Sequence, residues 1–269
     1  MLHIDNLSIR FGEICATHRI SLSVAKGETL GIVGESGSGK SMLALATIGL
    51  LPAKARATGR ILFDGTDLLG LPDKALDAYR GARIGMIFQE PMSALNPAMT
   101  IGRQITEGMR LSGLSRAAAR SHALGLLDRV QIPQSRARSY PHELSGGQRQ
   151  RVCIAIALAR QPDLLIADEP TTALDTTVQA DILDLLDSLR REFGLTMLFI
   201  SHDLGVINRI ADRVMVMYRG THVETGPTAQ VLHAPAQDYT KRLIAALPRR
   251  QPPRQPQPRR TAAPQSPAS

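Results

Sequence analysis

Eight residues near the start of the chain have the types and spacing to hold a polyphosphate: Gly34-Glu35-Ser36-Gly37-Ser38-Gly39-Lys40-Ser41. They satisfy the pattern G-x-x-x-x-G-K-[ST], in which glycines let backbone N–H groups turn inward onto phosphate oxygens and a helix N-terminus adds partial positive charge. Lys40 can then reach the β- and γ-phosphates and Ser41 can ligate Mg²⁺, with Met42 closing the binding segment at the helix start. Alone, the loop says only that a nucleoside triphosphate is bound; kinases and GTPases would share it. A second group, Leu164-Leu165-Ile166-Ala167-Asp168-Glu169, is an apolar run ending in two acids. A buried parallel strand delivers its terminal carboxylate to the sheet edge beside the phosphate loop, where Asp168 can hold the Mg²⁺ shell and Glu169 can polarise an attacking water as general base. The third string, Leu144-Ser145-Gly146-Gly147-Gln148, opens the apolar helix that contains Val152, Ile154 and Leu158. It makes another anion-binding helix start. Two such starts for one nucleotide make sense if they face each other across a dimer.

The elements that must position these residues follow from periodicity. Residues 2–9 and Ile20 to Val24 alternate and read as half-buried strands, and Thr29 to Val33 is a short apolar strand that gives way, after the glycine loop, to a helix at 42–46. Strand, loop and helix in that order open a parallel α/β sheet. Further strands are expected at Arg60 to Phe63, Ile84 to Phe88, Leu164 to Ala167, Met197 to Ile200 and Val214 to Met217. Thr100 to Gln131 has helical spacing and no convincing strand, so a helical block is inserted between two halves of the sheet. Later helices are expected at about 147–160, 176–192, 203–211 and 237–247.

Composition bounds the class. A chain of 269 residues with 43% hydrophobic content builds its own core and excludes a wholly disordered protein. No uncharged apolar run approaches the ~18–20 residues needed to cross a bilayer, and the N-terminal residues lack the order of a secretory signal. Cys15 and Cys153 have no neighbours at metal spacing, as expected in a reducing cytosol. The net charge of +8 suggests nucleic acid at first sight, yet residues 248–269 carry five arginines, seven prolines and no acid, leaving +3 for residues 1–247. That composition predicts a disordered tail.

With its three strings in this order, the chain resembles the ATP-binding subunits of ABC transporters, whose signature motif reads as residues 144–148 do; the likeness covers about residues 11–247. The resemblance implies an α/β phosphate-loop fold with a mixed, largely parallel sheet core, an N-terminal antiparallel β subdomain and an inserted helical subdomain at about 98–160. It makes 1–247 one ATPase domain. It also implies roles. Phe11, 29 residues before Lys40, stands where an aromatic stacks on adenine. Gln89 matches the glutamine that contacts metal and attacking water and senses the membrane partner. Thr172-Ala173-Leu174-Asp175 resembles the loop that joins two active sites, and His202, 33 residues after Glu169, resembles the histidine that contacts the γ-phosphate. ATP with Mg²⁺ would lie between one subunit's phosphate loop and the other's Ser145 to Gln148.

Glu90 to Pro97, Pro170 to Asp175, and Pro235 with Tyr239-Thr240 look like the dipeptide, oligopeptide and nickel importer branch. That branch implies a second ATPase subunit, more often a different chain than a copy, two membrane permease subunits and a periplasmic or extracellular substrate-binding protein. The chain would sit peripherally on the cytoplasmic face of the inner membrane. Some members hold an iron–sulfur cluster through four late cysteines; no cysteine follows Cys153, so no cluster is expected. The alternatives are an exporter ATPase and an ABC ATPase acting on nucleic acid. The segment after Gln89 opposes the first. The 104 positions between Lys40 and Leu144, without heptads or cysteine pairs, oppose the second, so no nucleic-acid partner is expected. The cargo, peptide or nickel, is not written in an ATPase.

Overall fold

The computed structural model describes residues 1–172 and 174–246. In chain order the first part comprises Leu2–Phe11 (β1), Ile14–Val24 (β2), Thr29–Val33 (β3), Lys40–Thr47 (α1), Ala55–Phe63 (β4), Thr66–Asp67 (β5), Asp73–Leu76 (α2) and Ile84–Ile87 (β6). A helical segment follows: Pro91–Ala94 (α3), Ile101–Leu111 (α4), Arg116–Arg129 (α5), two 3₁₀ turns at Gln134–Arg138 and Pro141–Glu143, and Gly146–Leu158 (α6). The remainder is Leu164–Asp168 (β7), Thr176–Phe193 (α7), Thr196–Ser201 (β8), Leu204–Ile210 (α8), Arg213–Tyr218 (β9), Thr221–Pro227 (β10), Thr228–His233 (α9) and Asp238–Ala245 (α10).

Two sheets result. The antiparallel one has order β2-β1-β4-β5, and the larger one has order β10-β9-β3-β8-β7-β6, parallel from β9 to β6 with β10 antiparallel at its edge. Period-two alternation along the parallel strands divides the interior into two cores. Leu30, Ile32, Leu164, Ile166, Leu198, Ile200, Met215 and Met217 face the antiparallel sheet and α1. Val33, Leu165, Ala167, Met197, Phe199, Val214 and Val216 face the opposite way, in the cluster that contains α6, α7, α8 and the helical segment.

The strongest helix signal shows how the sequence sets an element. α7 starts on Asp175, whose side chain accepts from the backbone N–H of Thr177 and Val178 at 3.1 and 2.9 Å, and stops at Gly194 in the left-handed conformation. Between them Ile182, Leu185, Leu186 and Leu189 form one buried stripe. The expected strands and helices are present, with shifted ends: β7 runs one residue further, to Asp168; β6 stops at Ile87, leaving Phe88 38% exposed; and β2 begins at Ile14, not Ile20. β10 was not expected. Its seven residues are exposed or half-exposed and lack apolar alternation, so only the two-residue turn Arg219-Gly220, both with positive φ, marks the hairpin. The tail at 248–269 and the last residue of the expected domain, Leu247, lie outside the described residues.

Helix α8 lies directly on β3 because Gly31 leaves room: a Cβ there would stand 2.9 Å from Ala211 Cβ and 3.0 Å from the Ile207 side chain. Gly31→Val is expected to lower stability by about 1–3 kcal/mol through overpacking, read as a lower midpoint of urea unfolding with an unchanged slope.

Candidate functional site

Four parallel strands end side by side, and the chain leaves each of them within two residues of a glycine turn or a polar side chain. Val33 is level with Ser201, Asp168 with Ile200, and Ile87 with Ala167. β3 therefore opens into the glycine loop, β8 into His202, β7 into Glu169 and β6 into Phe88-Gln89, all at the carboxyl edge, where open α/β sheets hold ligands.

The loop needs its glycines for two separate reasons. Gly37 and Gly39 have φ of 78° and 93°, in the left-handed region, while a Cβ on Gly34 would stand 2.2 Å from the carbonyl oxygen of Met217 in β9. Gly39 also lies under the β1–β2 hairpin, where a Cβ would meet Ala16 O at 2.5 Å. Because Gly39 caps α1 with no side-chain acceptor, the first-turn N–H groups stay free. Glu35, Ser36 and Gly37 are exposed above them. Ser38 Oγ is buried with no partner among the described residues. Lys40 is 4% exposed and its ammonium donates to the carbonyls of Gly34 at 2.8 Å and Glu35 at 2.9 Å. Burial holds its pKa below the ordinary lysine value, against the opposing pull of Glu169 and Asp168.

Next to the lysine, Ser41 Oγ donates to Asp168 Oδ1 at 3.1 Å. Burial raises the Asp168 pKa; the Ser41 hydroxyl and Lys40 oppose that rise and Glu169 adds to it. A hydroxyl and a carboxylate gathered at one point are hard oxygen donors of the kind Mg²⁺ takes. Glu169 is one of few non-glycine residues with positive φ, 46°, and its N–H donates to Ile200 O at 3.0 Å. That turn keeps two consecutive acids at the same edge, where a regular strand would send them to opposite faces. Glu169 Oε2 then accepts from Thr172 Oγ1 at 2.8 Å and from Gln89 Nε2 at 3.4 Å, and lies 3.0 Å from His202 Nδ1. With its proton on Nδ1, the neutral imidazole donates to the carboxylate and leaves Nε2 free. The group can orient a water at a carboxylate while lysine and helix N–H groups hold an anion.

The structure brings Lys40, Ser41, Asp168, Glu169, Gln89 and His202 together. Phe11 ends β1, half-buried against the core of that sheet and in the hairpin that overhangs Gly39; Met42 is half-buried against the same core. The signature segment lies apart. Ser145 caps α6 through a reciprocal pair, accepting from Gln148 N at 3.3 Å while Ser145 N donates to Gln148 Oε1 at 3.1 Å. Gly147 fits only without a side chain, since a Cβ would stand 2.7 Å from Val178 Cγ1, and Gly146 is exposed. Leu144 is 3% exposed, so its side chain serves the core. Asp175 is spent on capping α7, and Ala173 of the same string lies outside the described residues.

Sequence reasoning missed two residues at the site. Thr172 stood in a motif string with no role of its own. Tyr239 was noted only as a branch marker, yet its ring lies 4.2 Å from that of Tyr218 and its phenol pKa is raised, first by burial and then by the carboxylate of Glu35 in the phosphate loop. Only tertiary packing brings α10 there.

A lysine-bearing glycine loop after a central parallel strand, with a carboxylate ending the strand one removed from it, defines the phosphate-loop nucleotide hydrolases. Residues 17–172 match the family model described as ABC transporter. The chain belongs to the ABC transporter family, whose ATP-hydrolysing cassette it carries. It is 52% identical over 262 residues to the peptidoglycan transport ATP-binding protein YejF of Agrobacterium fabrum, covering 94% of this chain but only 48% of that longer relative. It is 47% identical to the oligopeptide transport ATP-binding protein OppD of Salmonella typhimurium, covering 93% of this chain and 76% of the relative. Among solved structures, the ATP-binding cassette MJ0796, described as a dimer bound to ADP and Pi, superposes with a TM-score of 0.75 at 31% identity, covering 85% of this chain and 99% of that one. The expected α/β phosphate-loop fold is thereby met.

Gly34→Ala is expected to displace the loop from Met217 and weaken ATP binding by about ten- to a hundredfold, since a shift near 1 Å costs that much at a positioned site. Equilibrium dialysis with labelled ATP measures it.

Proposed function

We propose that this chain is the ATP-hydrolysing subunit of a peptide importer. The observation that carries the reading is the convergence of Gln89, Thr172 and His202 on one oxygen of Glu169, beside the Ser41–Asp168 pair and Lys40. In this reading Glu169 is the general base, Gln89 and His202 orient the water and the γ-phosphate, and Lys40 neutralises the β- and γ-phosphates. Residues 34–42 cradle the triphosphate and Phe11 stacks on adenine. Ser41, Asp168 and Gln89 would hold Mg²⁺, which when bound would offset the negative charge of the phosphates. The unpartnered Ser38 hydroxyl and the buried Asp168 fit such a load.

Residues 144–148 act on the nucleotide of a second ATPase subunit, like this one or different, and Asp175 lies near that junction. The exposure of Ser145 and Gly146, whose hydrogen bonds among the described residues stay within α6, supports a shared site, as does the dimer described for MJ0796. Among the described residues no helix is long and apolar enough to cross a membrane. Phe88 and Met92, 38% and 58% exposed on either side of Gln89, give an apolar face for two permease subunits at the cytoplasmic side of the membrane. A substrate-binding protein would deliver the cargo. The names of the relatives favour peptides over nickel. No iron–sulfur cluster and no nucleic acid enter this reading.

Glu169→Gln is expected to leave ATP binding intact while lowering phosphate release by about 10²–10⁴-fold, and to trap an ATP-bound dimer visible by size exclusion. Hydrolysis at the wild-type rate would remove Glu169 from the role. In the assembled complex with its permeases and binding protein, peptide ligands are expected to stimulate hydrolysis and nickel is not; the opposite response would reassign the cargo.

A further inference from the structure

Away from the nucleotide site, α4, α5 and the 3₁₀ turn at Gln134–Arg138 line an open cavity of about 940 Å³, around which Arg103, Arg110, Arg116, Arg120 and Arg138 are exposed. α4 buries Ile101, Ile105 and Met109 in the core, which turns Arg103, Thr106 and Arg110 outward as one stripe along the cavity. α5 adds Arg116 and Arg120, one turn apart, and the 3₁₀ turn adds Arg138. Five guanidinium groups from three elements therefore face one space whose lining contains no acid. Glu107 enters only an adjoining cavity of about 270 Å³, shared with Arg103 and Arg110. None of the five forms an ion pair with a described residue, whereas Arg83, Arg129, Arg191, Arg209 and Arg213 elsewhere in the chain all find carboxylates. Five like charges with one acid beside them repel on balance, and an anion relieves that repulsion.

The chemistry of the lining selects the anion. Every cation is arginine, whose planar fork binds phosphate in bidentate fashion. Between the arginines stand hydroxyls, Thr100, Thr106 and Ser135, and the apolar side chains in the lining are Ala123, Leu124 and Ala137, none of them aromatic. A peptide would need a large apolar or aromatic anchor pocket, which this lining lacks. A compact, multiply charged group held from three sides suits it. We propose that this cavity binds a ligand carrying two or more phosphate groups, on a lipid headgroup or a soluble polyphosphate. The proposal does not rest on the peptide-importer reading.

The test uses the full chain with its nucleotide site saturated by a non-hydrolysable ATP analogue. Inositol hexakisphosphate, titrated calorimetrically, probes the soluble source. Sedimentation with cardiolipin vesicles, against phosphatidylcholine vesicles as blank, probes the lipid source. Saturable binding to at least one probe is expected, and R116Q/R120Q should weaken it by about tenfold per arginine removed. R136Q, on the same 3₁₀ turn but outside the cavity lining, removes one such charge and should change binding by less than about twofold, against about tenfold for each lining arginine. ATP hydrolysis should be unchanged in all three proteins, which shows that they are folded. Binding to vesicles alone assigns a lipid headgroup, and binding to the soluble probe alone assigns a free polyphosphate. Absence of saturable binding to both probes, an equal loss in R136Q, or preference for a poly-glutamate peptide over both would overturn the proposal.

Discussion

Burial of opposite charges at the carboxyl edge of the parallel sheet is the constraint on which the rest of the structure depends. Lys40 and Asp168 are 4% and 5% exposed, and burial alone drives both toward their neutral forms. Carbonyl oxygens of Gly34 and Glu35 satisfy the ammonium, and the Ser41 hydroxyl satisfies the carboxylate, but these partners carry no net charge. A charged site of this kind is costly for a fold to hold. It is held here by a sheet whose central strands β3, β7 and β8 are buried along their whole length, with a core on each face. In the proposed reading, phosphate and Mg²⁺ add to the opposite charges that Glu169, Asp168 and Lys40 already offer one another.

Backbone geometry, more than side-chain chemistry, makes the charges meet. The left-handed turn at Glu169 keeps that carboxylate beside Asp168, and its N–H is not left idle because Ile200 O accepts from it. A non-glycine residue in this region is uncommon and persists where surrounding structure over-determines it. Here three side-chain partners and one backbone bond do so. Gly34 plays the complementary part on β3, where close approach of the Met217 carbonyl fixes how the loop leaves the sheet.

These features explain what could be read from the chain alone. The glycine loop, the Asp-Glu strand end and the signature are legible because their chemistry is local: each needs given residue types at adjacent positions, and the strands beneath them are continuous apolar runs. β10 was invisible because it is a half-exposed edge strand paired only with β9. Thr172 and Tyr239 were invisible as site residues because their meetings with Glu169 and near Glu35 depend on the folding of a loop and of α10. The same holds for the arginine-lined cavity. Its five cations are scattered over 36 positions and read as solvated surface, while the net charge drew attention to the tail.

The segment after Gln89 shows how one end of the site is joined to the signature helix. Its backbone is fixed by Gln104, a buried amide whose Oε1 accepts from Asn96 N and whose Nε2 donates to the carbonyls of Asn96 and Met99, each at 2.9 Å. Between Gln89 and that anchor, α3 lies on α6, where Arg149 meets the Met92 sulfur and Cys153 lies beneath Pro91. Cys153 takes part by packing: burial pushes its thiol pKa up to about 12, which keeps it protonated and unreactive. Gln89 is therefore followed by a short helix held between a satisfied amide and α6. In the proposed reading that is the physical route by which the state of one nucleotide reaches the glycines offered to the other, because packed contacts shift as units and do not deform continuously.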